Sequence, residues 1–286
     1  MVVIGSANLD VVVRVQRLPA AGETVLGHQL EEVAGGKGLN QAIAAALRGP
    51  CTFVGTVGDD EAGRILVDRL QRAGVDTTWV ARVPGPTGRA LIEVDAAGEN
   101  RIVVAPLANA RLEADTVRNA LDQLAPAVVL AQLEVPLAAV SAAAAWAAAN
   151  GARFVLNASP VAVLPPDVLR CCDPLVVNRV EASAMLGDDP AASAPDDGVG
   201  ALADRLAGQV TSVVVTDGPR GAHVGTAERI RVIPAEPVTP VDTTGAGDAF
   251  AGTLAGALAN GETLPSATGC ANAAAARVIQ LPRAQR

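Results

Sequence analysis

Between Glu113 and Val215 the chain repeats a pattern that few architectures accommodate: a helical stretch, a short apolar run, then a polar residue. The spacing predicts helix Glu113–Gln123, strand Ala127–Leu133, helix Leu137–Asn150, strands Arg153–Leu156 and Leu175–Val177, helix Asp197–Ala207 and strand Ser212–Val215. Parallel strands need crossovers long enough to be helices, and apolar runs without alternation are buried on both faces. The expected fold is therefore α/β, with a mostly parallel central sheet and helices on both faces. Four of these strands run directly into polar residues: Glu134, Asn157, Asn178 and Thr216-Asp217-Gly218. Any one of them is as readily turn chemistry. Four on one rim predict a cleft, because ligands of open α/β sheets bind outside the carboxyl ends of the strands.

The flanking segments complete the plan. Met1–Ser6 reads as a first strand ending in Gly5-Ser6-Ala7-Asn8-Leu9-Asp10, so Asn8 and Asp10 stand where a ligand could be. Val11–Val15 and Thr24–Glu32, separated by the turn Pro19–Gly22, are strand-like but lack an adjacent long helix. Gly88–Asp95 and Arg101–Ala105 read as a hairpin. Together these pieces, from about residues 11–33 and 88–105, predict a small β-sheet lid on a single domain spanning 1–286. Gly35-Gly36-Lys37-Gly38 opens a helix over Asn40–Arg48, a helix mouth that carries a cation. Cys51–Val57 is a strand closed by Gly58-Asp59-Asp60, with the two aspartates read as caps of helix Glu61–Ala73. Gly221–Gly225 and Arg229–Pro234 form a short hairpin, Pro265–Ile279 a last helix, and Gly187–Gly198 a surface loop.

The stretch most suggestive of chemistry is Val241–Leu254, VDTTGAGDAFAGTL. Gly245, Ala246 and Gly247 leave the first backbone N–H groups of the following helix unshielded, and those groups with the helix dipole make an anion site. Asp248 sits among them, placed to take a proton from a hydroxyl aimed at the bound anion. Phosphoryl transfer needs that pairing. The competing reading is a turn with a capping carboxylate. No GxxxxGK[ST] occurs, and Gly245, Gly247 and Gly252 are spaced GxGxxxxG, so neither the Walker loop nor the dinucleotide fingerprint applies.

Composition narrows the field. A net charge of −8 with 2% aromatic residues argues against nucleic-acid binding. The apolar runs are too short to span a bilayer. Met1 leads straight into Val2-Val3-Ile4 without a basic region or cleavage site, so the cytoplasm is the expected location. His28 and His223 stand apart, which disfavours histidine-based metal sites and serine–histidine triads. Cys51, Cys171, Cys172 and Cys270 fit neither a zinc spacing nor a disulfide framework and are read as buried small apolar residues.

In order and spacing, GSANLD (Gly5–Asp10), PAAGET (Pro19–Thr24), GGKGLNQA (Gly35–Ala42), GTVGDDEAG (Gly55–Gly63), QLEVP (Gln132–Pro136), NRVE (Asn178–Glu181), TDGPRG (Thr216–Gly221) and DTTGAGDAFAG (Asp242–Gly252) cover nearly the whole chain. With these motifs the sequence resembles the ribokinase-like, or phosphofructokinase-B, sugar kinases. GSANLD and the Gln41 that follows Asn40 favour the ribose-phosphorylating branch. The resemblance implies a sugar held by Asn8, Asp10, Gly36, Asn40 and Glu134, with Asp248 as base facing its primary hydroxyl. It implies ATP along Asn178, Thr216, Gly218 and Gly221, Asn272 near the base, and the Gly245, Ala246 and Gly247 amides on the transferring phosphoryl group. Mg²⁺ is implied through water near Asn178 and Glu181, and dimers are implied through the lid. Lys37 is either a charge near the phosphates or the sugar, or a solvated lysine at a helix start.

Asp242 and Thr244 match half of the family's monovalent-cation site. The basic, glycine-containing loop that supplies the other half does not follow Gln280, so the K⁺ effect is expected to be weak or missing and apolar surface uncovered. The alternatives are a kinase for another pentose, a ketohexose or a nucleoside, or a sugar-binding homologue with impaired catalysis.

Overall fold

The computed structural model describes residues 1–188 and 198–282. The expected loop Gly187–Gly198 lies almost wholly outside them. Thirteen strands are present among the described residues: β1 Val2–Ile4, β2 Asn8–Val15, β3 Gly27–Gly35, β4 Thr52–Gly58, β5 Val80–Val83, β6 Gly88–Val94, β7 Asn100–Ala105, β8 Val128–Ala131, β9 Arg153–Asn157, β10 Cys172–Asn178, β11 Val213–Thr216, β12 Ala222–Thr226 and β13 Arg229–Ile233. The helices are α1 Lys37–Ala46, α2 Glu61–Arg72, α3 Ala114–Leu124, α4 Leu137–Asn150, α5 Pro166–Cys171, α6 Arg179–Met185, α7 Gly198–Ala207, α8 Ala246–Ala259 and α9 Leu264–Ile279.

Nine strands form one sheet in the order β13-β12-β11-β10-β9-β8-β1-β4-β5. Seven of them, β5 through β11 in that order, run parallel, and the hairpin β12–β13 adds an antiparallel edge. Because side chains alternate across a strand, neighbouring residues enter opposite cores. Val2, Ile4, Val129, Ala131, Phe154 and Leu156 pack with Leu121, Ala143 and Leu202 of α3, α4 and α7. Val3, Leu130, Val155, Val176 and Val214 pack with Leu39, Leu66, Leu254 and Ala271 of α1, α2, α8 and α9. Each fully buried leucine here contributes roughly 1.5–3 kcal/mol of burial, which holds helices on both faces as the alternation predicts. No described helix is long and apolar enough to cross a membrane.

The second sheet, β3-β2-β6-β7, is built from the segments expected to form a lid. It starts earlier than expected, at Asn8, so Asn8 and Asp10 lie on its central strand β2 instead of in a loop after β1. Likewise β3 runs to Gly35, pairing Gly35 with Asn8. The reason is local: a Cβ on Gly35 would lie 2.3 Å from Asp10 Oδ2. Asp60 caps α2 as expected, accepting from the Gly63 N–H at 2.9 Å.

Several boundaries differ from the sequence reading. Helix α1 begins at Lys37, three residues early, because Gly36 at φ 91° turns the chain abruptly out of β3. Strand β8 stops at Ala131, and Leu133 N–H turns to the carbonyl of Ser159. Three short elements were unanticipated: β5, α5 and α6. The signal for α6 was present, since Asn178 and Glu181 form a capping box three residues apart. The cysteine reading holds for Cys51 and Cys172, which are buried, but Cys171 and Cys270 are partly exposed. Burial pushes the Cys51 thiol up to about 12. Cys171 is half-exposed because it ends the amphipathic α5, one residue before the buried strand begins.

Candidate active site

The carboxyl ends of β9, β10 and β11 and the mouth of α8 enclose a cavity of about 240 Å³. Lys37, Asn157, Ser159, Asn178, Glu181 and Thr216 supply its polar lining, and Gly245, Gly247 and Asp248 its far wall. Asn178 and Thr216 are register partners on adjacent parallel strands and Asn157 lies on the next strand, whereas Glu134, the fourth rim residue expected from the sequence, is not among the cavity-lining residues.

Helix α8 is built to face this space. Its N-cap, Gly245, sits in the left-handed region at φ 77° and offers no side chain to cap the first turn. A Cβ added to Gly247 would meet nothing within 4 Å. Packing therefore does not demand glycine at 247; the bare backbone is turned to open space. The rest of α8 is held against α1 by two glycines one turn apart. A Cβ on Gly252 would lie 2.2 Å from the Gln41 carbonyl oxygen, and one on Gly256 3.2 Å from the Ala45 carbonyl oxygen and 2.8 Å from Cβ of Arg48 just beyond α1.

This close approach brings Asp248 to α1. Asn40 Nδ2 donates to its Oδ2 and Gln41 Nε2 to its Oδ1, both at 2.9 Å. Burial raises the Asp248 carboxyl above the ordinary aspartate value, opposed by the Lys37 charge and the Gln41 and Asn40 hydrogen bonds and reinforced by the Glu134 charge. Since its folded pKa lies above the unfolded one, its contribution to stability is fullest below the ordinary carboxylate range and is lost as pH rises through the folded value. A carboxylate so placed is basic for its type and fixed in attitude, which suits proton abstraction from a hydroxyl.

A second polar cluster adjoins Asp248 on the lid side. Three donors converge on Glu134 Oε2: Ser6 Oγ at 2.5 Å, the Lys37 N–H at 3.1 Å and Asn8 Nδ2 at 3.5 Å. Asn8 is 1% exposed and Asp10 6%. Gly36 lies against them, since a Cβ there would be 2.7 Å from Asn8 N. Asn109, on the 3-10 turn Leu107–Arg111, donates to Asn8 Oδ1 at 2.7 Å and accepts from Ala7 N–H at 2.9 Å. Asn109 belongs to no recognisable motif, and only the tertiary contact shows that it orients Asn8. Gly88 permits this bond, because its Cβ would fall 2.1 Å from Asn109 Nδ2.

The predicted site residues thus fall into groups. Asn8, Gly36 and Glu134 meet at the start of α1, with Asp10 beside Gly35 on the second sheet and Asn40 bonded to Asp248, while Asn178, Glu181, Thr216, Gly245 and Gly247 line the cavity with Lys37 and Asp248. Lysine in the first turn of a helix opposes the dipole; Lys37 is half-buried and lines the cavity, and its charge acts on Asp248. Gly218, Gly221 and Asn272 are not among the cavity-lining residues. Gly221, at φ 96°, is required by the turn into β12, where a Cβ would strike the Ile233 carbonyl at 2.1 Å. Asn272 Nδ2 donates to the carbonyls of Ile233 and Pro234. Asp242 Oδ1 accepts from Thr244 N–H at 2.8 Å, in the loop that delivers Gly245.

The model of the pfkB family of carbohydrate kinases matches residues 1–286. The chain belongs to this family. Among relatives of this pfkB kinase, the ribokinase of Bacillus subtilis is 35% identical over 275 residues, covering 96% of this chain and 90% of the relative. The ribokinase of Haemophilus influenzae is 34% identical over 288 residues, covering 100% and 94%. Among solved structures, the Arabidopsis thaliana ribokinase complexed with ribose and ATP superposes with a TM-score of 0.85 at 30% identity, covering 98% of this chain and 92% of that one. The α/β fold, the family and the class of enzyme, a sugar kinase phosphotransferase, agree with the sequence reading.

Proposed function

We propose that this carbohydrate kinase transfers the γ-phosphoryl group of ATP to the primary 5-hydroxyl of D-ribose. The observation that carries the reading is the position of Asp248, which lines the cavity at the mouth of α8, is bonded to Asn40 of α1 and feels the Glu134 charge of the adjoining polar cluster. The ribokinases among the relatives and the ribose and ATP in the Arabidopsis structure support the choice of substrates.

In this reading the sugar lies among Asn8, Asp10, Gly36, Asn40 and Glu134. Buried amides and carboxylates suit a polyol, and such groups left unpaired reject a sugar lacking the matching hydroxyl. The triphosphate lies along Asn178 and Thr216, with its γ-phosphate on the amides of Gly245, Ala246 and Gly247. The hydroxyl oxygen attacks phosphorus in line as its proton passes to Asp248. The new O–P bond forms as the β,γ-bridging bond breaks, and ADP leaves with the electron pair. Lys37 offsets the charge between the two sites.

Among the described residues no three His, Cys, Asp or Glu side chains form a metal cage. Apart from Asp248, one carboxylate lines the cavity among the described residues: Glu181, one oxygen of which accepts the Asn178 N–H at 2.8 Å. That donor set fits Mg²⁺, which keeps several waters and binds through one carboxylate and phosphate oxygens. Bound there with Asn178, it would neutralise phosphate charge. A monovalent cation at Asp242 and Thr244 would act through the loop that sets Gly245. The expected result of a coupled ADP-release assay is turnover with ribose and Mg-ATP that is abolished by EDTA, with K⁺ addition testing the Asp242 loop. Faster turnover with a ketohexose, another pentose or a nucleoside would overturn the ribose assignment.

The lid supports a homodimer. Edge strand β7 exposes Ile102, Val103 and Val104 in succession, at 51%, 65% and 38%, and Leu91, paired with Val103, is 53% exposed. An uncovered apolar edge is a template for pairing with another chain. Sedimentation at micromolar concentration is expected to show a dimer that Val103→Lys converts to monomer; monomer in the unsubstituted protein ends this reading.

A further inference from the structure

We propose that Gln41 is the positioning residue for Asp248, its amide locked from behind by Gln132 and Asn157 so that it always presents a donor to the carboxylate. The inference deepens the phosphoryl-transfer reading above and rests on it for its catalytic meaning. Gln41 and Gln132 are both 0% exposed, and Asn157 is 8% exposed. Gln132 Nε2 donates to Gln41 Oε1 at 2.7 Å. Gln41 Nε2 then donates to Asp248 Oδ1 and to Asn157 Oδ1, each at 2.9 Å. Asn157 Nδ2 is in turn anchored on the carbonyl of Val176 at 3.1 Å.

Only one orientation of the Gln41 amide satisfies these partners. Turned over, its oxygen would face two other oxygens and its NH₂ group would face that of Gln132, leaving buried polar groups unpaired. Both hydrogens of the Gln41 NH₂ group are already engaged, so Gln41 acts on the substrate only through Asp248. Its distance from α8 is also set, because Gly252 lets the two helices touch at the Gln41 carbonyl. Asn40 and Gln41, consecutive on α1, therefore grip one carboxylate oxygen each and define its plane. A purely structural reading exists, in which buried amides merely satisfy one another. It predicts effects on stability and none on proton transfer.

Two variants separate these readings. Gln41→Met keeps the length of the side chain and removes the bonds; Gln132→Met removes the lock without touching the cavity. In Gln41→Met, kcat is expected to fall about 10- to 100-fold, with the KM for sugar changed by less than roughly threefold, as misorientation of a base should produce. The acid limb of the kcat–pH profile should move to higher pH, because a donor favouring the ionised carboxylate is gone while Asn40, Lys37 and Glu134 remain around it. Gln132→Met should move both in the same direction by about 3- to 10-fold in kcat. Unchanged kcat and an unmoved limb in Gln41→Met overturn the proposal; if that variant does not fold, the same result in folded Gln132→Met does so. Carboxyl ¹³C NMR titration, with the Asp248 signal assigned by its loss in Asp248→Asn, keeps the test independent of substrate. If the unsubstituted protein phosphorylates no sugar, the functional reading fails, yet an upward shift of Asp248 in Gln41→Met still supports the positioning role. Identical titration in both proteins overturns it.

Discussion

Asp248→Asn is expected to lower kcat about 10²- to 10⁴-fold, the span over which a general base acts, with a much smaller change in sugar KM. The asymmetry follows from the geometry. Asparagine preserves the shape at the mouth of α8 and the bare amides of Gly245 and Gly247, so binding of both substrates is largely retained. What disappears is the acceptor for the hydroxyl proton. The pH profile supplies an independent mark. Burial holds the carboxyl above the ordinary aspartate value, so in the unsubstituted enzyme activity is lost on acidification at a pH above that value. The asparagine variant should lack this limb altogether. Turnover near the unsubstituted level, or an intact limb, would remove Asp248 from the proton transfer.

The second large effect separates two glycines that look alike in sequence. Gly36→Ala is expected to destabilise the fold severely and raise the KM for sugar. Its φ of 91° and ψ of 137° suit few residues besides glycine, and an added Cβ would lie 2.7 Å from Asn8 N and 3.0 Å from Ala7 Cα, both backbone atoms that cannot step aside. Backbone strain and overpacking cost about 1–3 kcal/mol each, enough to lower Tm by roughly 5–15 °C and to displace Asn8 from the sugar cluster. Gly247→Ala should behave oppositely. Nothing within 4 Å opposes its Cβ, and alanine is favoured over glycine in a helix by about 0.5–1 kcal/mol. Its Tm should hold or rise while kcat falls, because the methyl group would occupy the space that the proposed function gives to the phosphoryl group. A thermal melt and a turnover assay on the pair check both statements. Equal losses of Tm in the two variants would contradict the assignment of Gly247 to a ligand.

Much of the central sheet was legible in the chain because its strands are short apolar runs separated by helices, a pattern only a parallel, doubly covered sheet satisfies. The rim residues Asn157, Asn178 and Thr216 were legible for the same reason: each follows such a run. The short elements β5 and α5 were not, since four to six residues of mixed polarity carry no resolvable period. Strands β6 and β7 of the small sheet were placed to within one residue, but β2 starts and β3 ends three residues from where they were expected, the latter because glycine at position 35 reads as a breaker. In the fold it is a paired strand residue whose missing side chain makes room for Asp10.

The sequence alone determined the architecture, the helix mouth at Gly245–Asp248 and the family to which these motifs belong, because periodicity, glycine spacing and charge placement are local properties of the chain. Only the tertiary structure decided that Asp248 is gripped by Asn40 and Gln41, that Gln132 and Asn157 lock that grip, and that Asn109 orients Asn8. Those contacts join residues about 90 to 210 positions apart. No local pattern records them, since they exist only once α1 and α8 close on each other across glycine and, for Asn109, once its turn packs on β2.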